Sequence, residues 1–193
     1  AHPQRISRAS DGVSKTPIRE ALRILHSLRV VEIKPRRGCF VRNIALSDIE
    51  DNYEVRWILE GHAARKSYDS ISEKQLEKVK NYYQRLKAAA ENNNIREYAH
   101  SHTLMHLSIV EGCTNKLLTE ICDRLRFQNV WYLIQYLELD LVSDLKGHDD
   151  LIEHFISRDV EAAEIQRLVE EHIQTGLTNY REYILRRNMK AEN

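Results

Sequence analysis

The chain has 193 residues, 42% hydrophobic and 30% charged, with 29 Lys/Arg balancing 29 Asp/Glu. That is enough length to bury one generous core or two small ones. No apolar run approaches the roughly 18 residues of a membrane span, and the start lacks a charged-then-apolar leader, so a soluble, cytoplasmic chain without a membrane partner is expected. Three scattered cysteines, Cys39, Cys113 and Cys122, without C-x-x-C spacing, argue against a disulfide framework or a cysteine zinc site.

The zero net charge hides an asymmetry. Residues 1–43 carry ten Lys/Arg against three acids, and residues 44–193 carry nineteen against twenty-six. All three prolines (Pro3, Pro17, Pro35) fall in the first segment. Two modules are expected, a basic one over 1–43 and an acidic one over 44–193, and the proline-free stretch predicts long helices.

In chain order, the basic module begins with a turn at Asp11-Gly12, then a short helix from Ser14 to about Leu28. Two β-branched pieces follow, Val30–Ile33 and Cys39–Val41, flanking Pro35-Arg36-Arg37-Gly38. That order is helix, strand, basic hairpin, strand. A glycine beside two arginines at a hairpin tip lets the backbone approach an anionic groove while both guanidiniums meet phosphates or base edges, which points to nucleic acid.

The acidic module reads as helices throughout. Ser47-x-x-Glu50 has the pattern of a capping box and opens a run to about Tyr68; Ser72-x-x-Gln75 opens another that closes in Glu91-Asn92-Asn93-Asn94. Further helices are predicted at 95–111, ended by Gly112, and at 114–138, 142–157 and 160–187. Short loops make these an antiparallel bundle. Within 95–111, His102 and His106 are spaced i, i+4 and share a face, the arrangement by which one helix offers two imidazoles to one metal ion. Spacing alone leaves open that the pair is simply polar core. Arg56 is the best cation for gripping a carboxylate ligand, and equally a partner for the nearby Glu60.

The stretch Gly12-Val-Ser-Lys-Thr-Pro-Ile-Arg-Glu-Ala-Leu22, followed by Val31-Glu-Ile-Lys-Pro-Arg-Arg-Gly-Cys-Phe-Val-Arg42, closely resembles the winged helix-turn-helix signature of GntR-family transcription regulators. The acidic module resembles the all-helical effector domain of the fatty-acid-regulator-type subfamily, the FCD domain, through Val55-Arg56-x-x-Leu59-Glu60, His106 with Gly112-x-x-Asn115, His148 with Asp159, and His172. The fold implied is mainly α: a winged helix-turn-helix, truncated because the family carries a first helix and part of a second ahead of Gly12, followed by a bundle of six to seven helices.

The resemblance implies a ligand-responsive regulator that is not an enzyme. Its recognition helix would present Lys15, Thr16, Arg19 and Arg23 to a double-stranded, pseudo-palindromic operator, and Arg36, Arg37 and Gly38 would form the wing. A homodimer follows from two matched half-sites. It further implies a divalent metal held by His106, His148 and His172 at the floor of an effector pocket, with His102 standing where the family places an aspartate. Four neutral imidazoles favour zinc or nickel and keep the ion's full charge for a small carboxylate effector, with Arg56 at hand. The His148–His172 spacing is longer than the family's: either the extra residues sit in the Arg158-Asp159 turn or His172 falls out of phase. Two rival readings are a metal-dependent hydrolase, which would need a general base as in H-E-x-x-H, and a helical interaction module with neither metal nor DNA.

Overall fold

A computed structural model describes Ile6 and residues 14–136 and 141–191. The Asp11-Gly12 turn, the Lys15 side chain and the predicted helix end at 137–138 lie outside what is described. The chain divides into two compact units, Ala1–Ala45 and Leu46–Asn193.

In the first unit, α1 (Lys15–Ser27) precedes the antiparallel strands β1 (Val31–Lys34) and β2 (Gly38–Val41), with Val31 opposite Val41 and Lys34 opposite Gly38. Pro17 sits in the first turn, where its missing N–H is not needed. Ser14 is the N-cap by position, but its side chain makes no capping hydrogen bond. The helix ends in a Schellman motif: the Arg29 N–H bonds the His26 carbonyl and the Val30 N–H bonds that of Leu25, both at 3.0 Å, with Arg29 left-handed at φ 59°. The hairpin closes through the Arg37 N–H on the Lys34 carbonyl (3.1 Å), with Pro35 fixing the second turn position and Arg36 left-handed at φ 60° in the third. Val31 and Cys39 are buried beneath the hairpin.

Among the described residues the second unit holds six helices: α2 (Leu46–Ser70), α3 (Glu73–Glu91), α4 (Ile95–Glu111), α5 (Lys116–Tyr136), α6 (Leu141–Ser157) and α7 (Ala162–Ala191). Helix α2 packs on α7, α5 and α4; α3 packs on α4 and α6; and α6 packs on α7. Ile49, Leu86, Tyr98, Met105, Phe155 and Ile173 fill the core. None of the described helices is long and apolar enough to cross a membrane.

The helix boundaries carry their own chemistry. Ser72 caps α3, accepting the Gln75 N–H on Oγ at 3.3 Å, but the reciprocal half of the expected box is replaced: the Gln75 side-chain amide donates to the Ser108 carbonyl (3.1 Å) and Glu111 Oε2 (2.8 Å) on α4. Asn93, left-handed at φ 50°, ends α3 in a second Schellman motif, and Asn94 at once caps α4 by accepting the Glu97 N–H (3.2 Å). The expected capping box at Ser47 does not form. Helix α2 already starts at Leu46, so Ser47 lies inside it, and Glu50 instead accepts from Arg181 on α7 at 2.8 Å. Gly112 ends α4 in ordinary helical geometry, so no left-handed turn calls for glycine there. It is required by close approach: a Cβ would lie 1.9 Å from Ser67 Oγ on α2.

Candidate metal centre and nucleic-acid interface

Helix α4 places His102 and His106 one turn apart on its buried face, α6 contributes His148, and α7 contributes His172. One ring nitrogen from each lies within 4.8 Å of those from the other three. The long His148–His172 interval is absorbed between α6 and α7, where Arg158 adopts φ 56°, and His172 reaches the same cluster with its ring 4.1 Å from that of His148.

The rings are aimed from outside. His106 Nδ1–H donates to Glu60 Oε2 (3.1 Å) and His148 Nδ1–H donates to the Asp144 carbonyl (3.0 Å), tautomers assigned from these partners. Each leaves Nε2 with its lone pair turned inward, and these two atoms, with His102 Nδ1, are buried and have no hydrogen-bond partner. Such orphaned acceptors cost free energy unless something fills them. Burial holds the His148 imidazole down at about 4 and pushes His102 and His172 well below the ordinary histidine value, their neighbouring rings adding to the effect. Neutral imidazoles with inward lone pairs are the donor set a zinc- or nickel-type cation takes.

Behind His106 runs a buried polar chain. Glu60 also accepts from Arg56 Nε at 2.6 Å, and Arg56 Nη1 donates to Asn129 Oδ1 on α5 at 2.8 Å. Burial alone would raise the Glu60 carboxyl, but the Arg56 charge and the His106 hydrogen bond outweigh it and hold the group at about 2. Of the two roles open to Arg56, the ion pair with Glu60 is formed; the residue also lines both clefts beside the cluster, of about 260 and 370 Å³ including their open mouths. The larger one brings Arg56, His102 and His172 together with Tyr53, Asp144 and Asn179.

Glu60 as the partner of His106, Asn129, and Asp144 were not singled out from the sequence. For Asp144 a signal exists: it lies four residues before His148, on the same face. Contacts between Glu60 and His106, or Arg56 and Asn129, span 46 and 73 residues and leave no local trace.

In the first unit, Thr16, Arg19 and Arg23 are exposed on α1, Arg23 pairing with Glu20 at 2.9 Å. Arg36 and Arg37 are exposed at the hairpin tip next to Gly38, whose φ is 115°.

Comparison with known proteins agrees with both halves. A model of the FCD domain matches residues 51–175, and one for bacterial regulatory proteins of the gntR family matches residues 8–41. The "Probable D-xylose utilization operon transcriptional repressor" of Paenarthrobacter nicotinovorans is 29% identical over 155 residues, covering 79% of this chain and 68% of that protein. The HTH-type transcriptional repressor RspR of Escherichia coli (strain K12) is 25% identical over 173 residues, 84% of this chain and 71% of its own length. Among solved structures, E. coli McbR/YncC shares the fold with a TM-score of 0.77 at 18% identity, over 93% of this chain and 90% of that one. The metal-free FCD domain of TM0439 does so with a TM-score of 0.57 at 16% identity, over 75% and 99%. A basic winged module joined to a helical bundle, both matched by family models and by relatives named as transcriptional regulators, means that the chain belongs to the GntR family, carries an FCD domain, and is a DNA-binding transcriptional regulator.

Proposed function

We propose that this regulator is a cytoplasmic homodimer whose helical unit holds one divalent transition metal, zinc or nickel, through His102, His106, His148 and His172, and binds a small carboxylate effector beside it. The observation that carries the reading is the convergence of four imidazoles, with three inward nitrogens buried and unpartnered. A bound ion of this type supplies a Lewis-acidic anchor for an anion. The protein's own part is to keep the His102, His148 and His172 imidazoles neutral by burial, to aim His106 and His148 through Glu60 and the Asp144 carbonyl, and to line the adjoining cleft with Arg56. DNA contact falls to Lys15, Thr16, Arg19 and Arg23 on α1 and to Arg36, Arg37 and Gly38 in the wing. The effector alters operator affinity by its differential affinity for DNA-competent and incompetent states.

Elemental analysis of protein purified without chelator or a nickel column tests the metal. Near-stoichiometric zinc or nickel is expected in the wild type and much less in His106→Ala. Equal metal in both, or a metal-free wild type that binds its effector normally, overturns the reading. Sedimentation at tens of micromolar checks the dimer, and a monomer refutes it.

A further inference from the structure

The cleft beside the histidine cluster is not uniformly suited to an anion. Its wall includes the carboxylate of Asp144, half-buried on α6 one turn before His148. One oxygen, Oδ2, is held by the Tyr98 hydroxyl at 2.5 Å, while Oδ1 has no hydrogen-bond donor among the described residues. An ionised carboxylate only accepts hydrogen bonds. Tyr53 lines the same cleft and donates no hydrogen bond to Asp144 among the described residues. Asn179 stands at the same cleft on the exposed side of α7. The cleft therefore combines groups of opposite character, the cationic Arg56 with the histidines and a carboxylate oxygen that can still accept a hydrogen bond.

We propose that Asp144 is the specificity-determining residue for the effector, and that the cleft selects a small carboxylate which also bears a hydrogen-bond donor, hydroxyl or ammonium, over the unsubstituted acid. This rests on the metal-and-carboxylate reading above. With the ligand's carboxylate at the histidine end, a donor elsewhere on it meets Asp144 Oδ1. A plain alkanoate instead strips water from that oxygen and returns nothing, a loss worth about tenfold or more in affinity for a charged acceptor. Hydroxy acids and amino acids share the required chemistry, and the two are separated by experiment.

The test is calorimetric titration of the full chain, loaded with zinc, with three three-carbon probes at one ionic strength: propionate, lactate and alanine. Lactate or alanine should bind at least tenfold more tightly than propionate, and whichever does so names the donor. In Asp144→Asn, where the side chain keeps an acceptor for Tyr98 but turns its amide toward the cleft, the preference should shrink below threefold; Asp144→Ala should do the same. Equal binding of the three probes by wild type overturns the role of Asp144 alone. So does a preference that survives in both variants, since chelation by the ligand would then explain it. Failure of zinc to load, or of all three probes to bind, brings down the underlying metal-and-carboxylate reading and this selection with it.

Discussion

Glu60 is buried and bonded on two sides, to Arg56 Nε at 2.6 Å and to His106 Nδ1 at 3.1 Å, so its removal should act on stability and on metal affinity by separable routes. Glu60→Ala leaves the buried Arg56 guanidinium without its counter-charge, a change that costs about 3–5 kcal/mol of folding free energy. Glu60→Gln keeps the shape and one acceptor and should sit at the low end, about 3 kcal/mol. Either variant also releases His106 from the tautomer that turns Nε2 inward, and loss of such an orienting partner weakens metal binding about 10- to 100-fold. The double change Arg56→Met with Glu60→Leu separates the two effects. It should restore much of the stability by replacing the pair with apolar contacts, yet leave zinc affinity low. Urea unfolding in the presence of chelator reads the first quantity, and competition between the folded protein and a chromogenic chelator reads the second. A double variant with wild-type zinc affinity would refute the orienting role assigned to Glu60.

Gly112→Ala should destabilise the bundle by about 1–3 kcal/mol through the contact with Ser67 Oγ, and adding Ser67→Ala should recover much of it, because that oxygen is buried without a partner; thermal unfolding of the four members of the cycle measures the coupling. Metal-free protein should lose stability as pH falls from 6.5 toward 4. Below 6.5 the unfolded chain protonates His148 while the folded chain, with this group held at about 4, does not, so unfolding takes up a proton; this one group removes about 3 kcal/mol by pH 4 and nothing above 6.5, as denaturant titrations across that window should show. In the wing, Arg37→Ala should lower the slope of log affinity against log salt by about one unit. Arg36→Gly should do the same while relieving a left-handed residue, so its hairpin amides should exchange no faster than those of wild type, and faster exchange would contradict the turn geometry.

Much of this architecture is legible in the sequence because its signals are local. The Ser72 cap and the Asn93-Asn94 punctuation depend on residues within one or two turns and mark real helix boundaries; Gly112 marks another, although what requires glycine there is the close approach of Ser67 on α2. Ser47 shows the limit of such patterns. Its spacing to Glu50 is right, yet Arg181, 131 residues along the chain from Glu50, draws that carboxylate to α7, and helix α2 begins at Leu46 regardless. The site divides in the same way. The pair His102 and His106 is visible from spacing, and resemblance marks His148 and His172, but the company that aims them is not visible. Glu60 reads as a salt-bridge partner for Arg56, which it is, while its second bond to His106 appears only when α2 lies against α4.

The histidine cluster also bears on chain topology. Two of its rings come from α4, held against α3 by a joint of three residues, and closing so short a loop costs little entropy. The others arrive from α6 and α7, with His148 lying 42 residues beyond His106 and His172 a further 24 beyond that. An ion gripped by all four would act as a cross-link, closing two long loops at one point and tying the last two helices to a locally formed hairpin much as a disulfide would, but reversibly and under the control of metal supply.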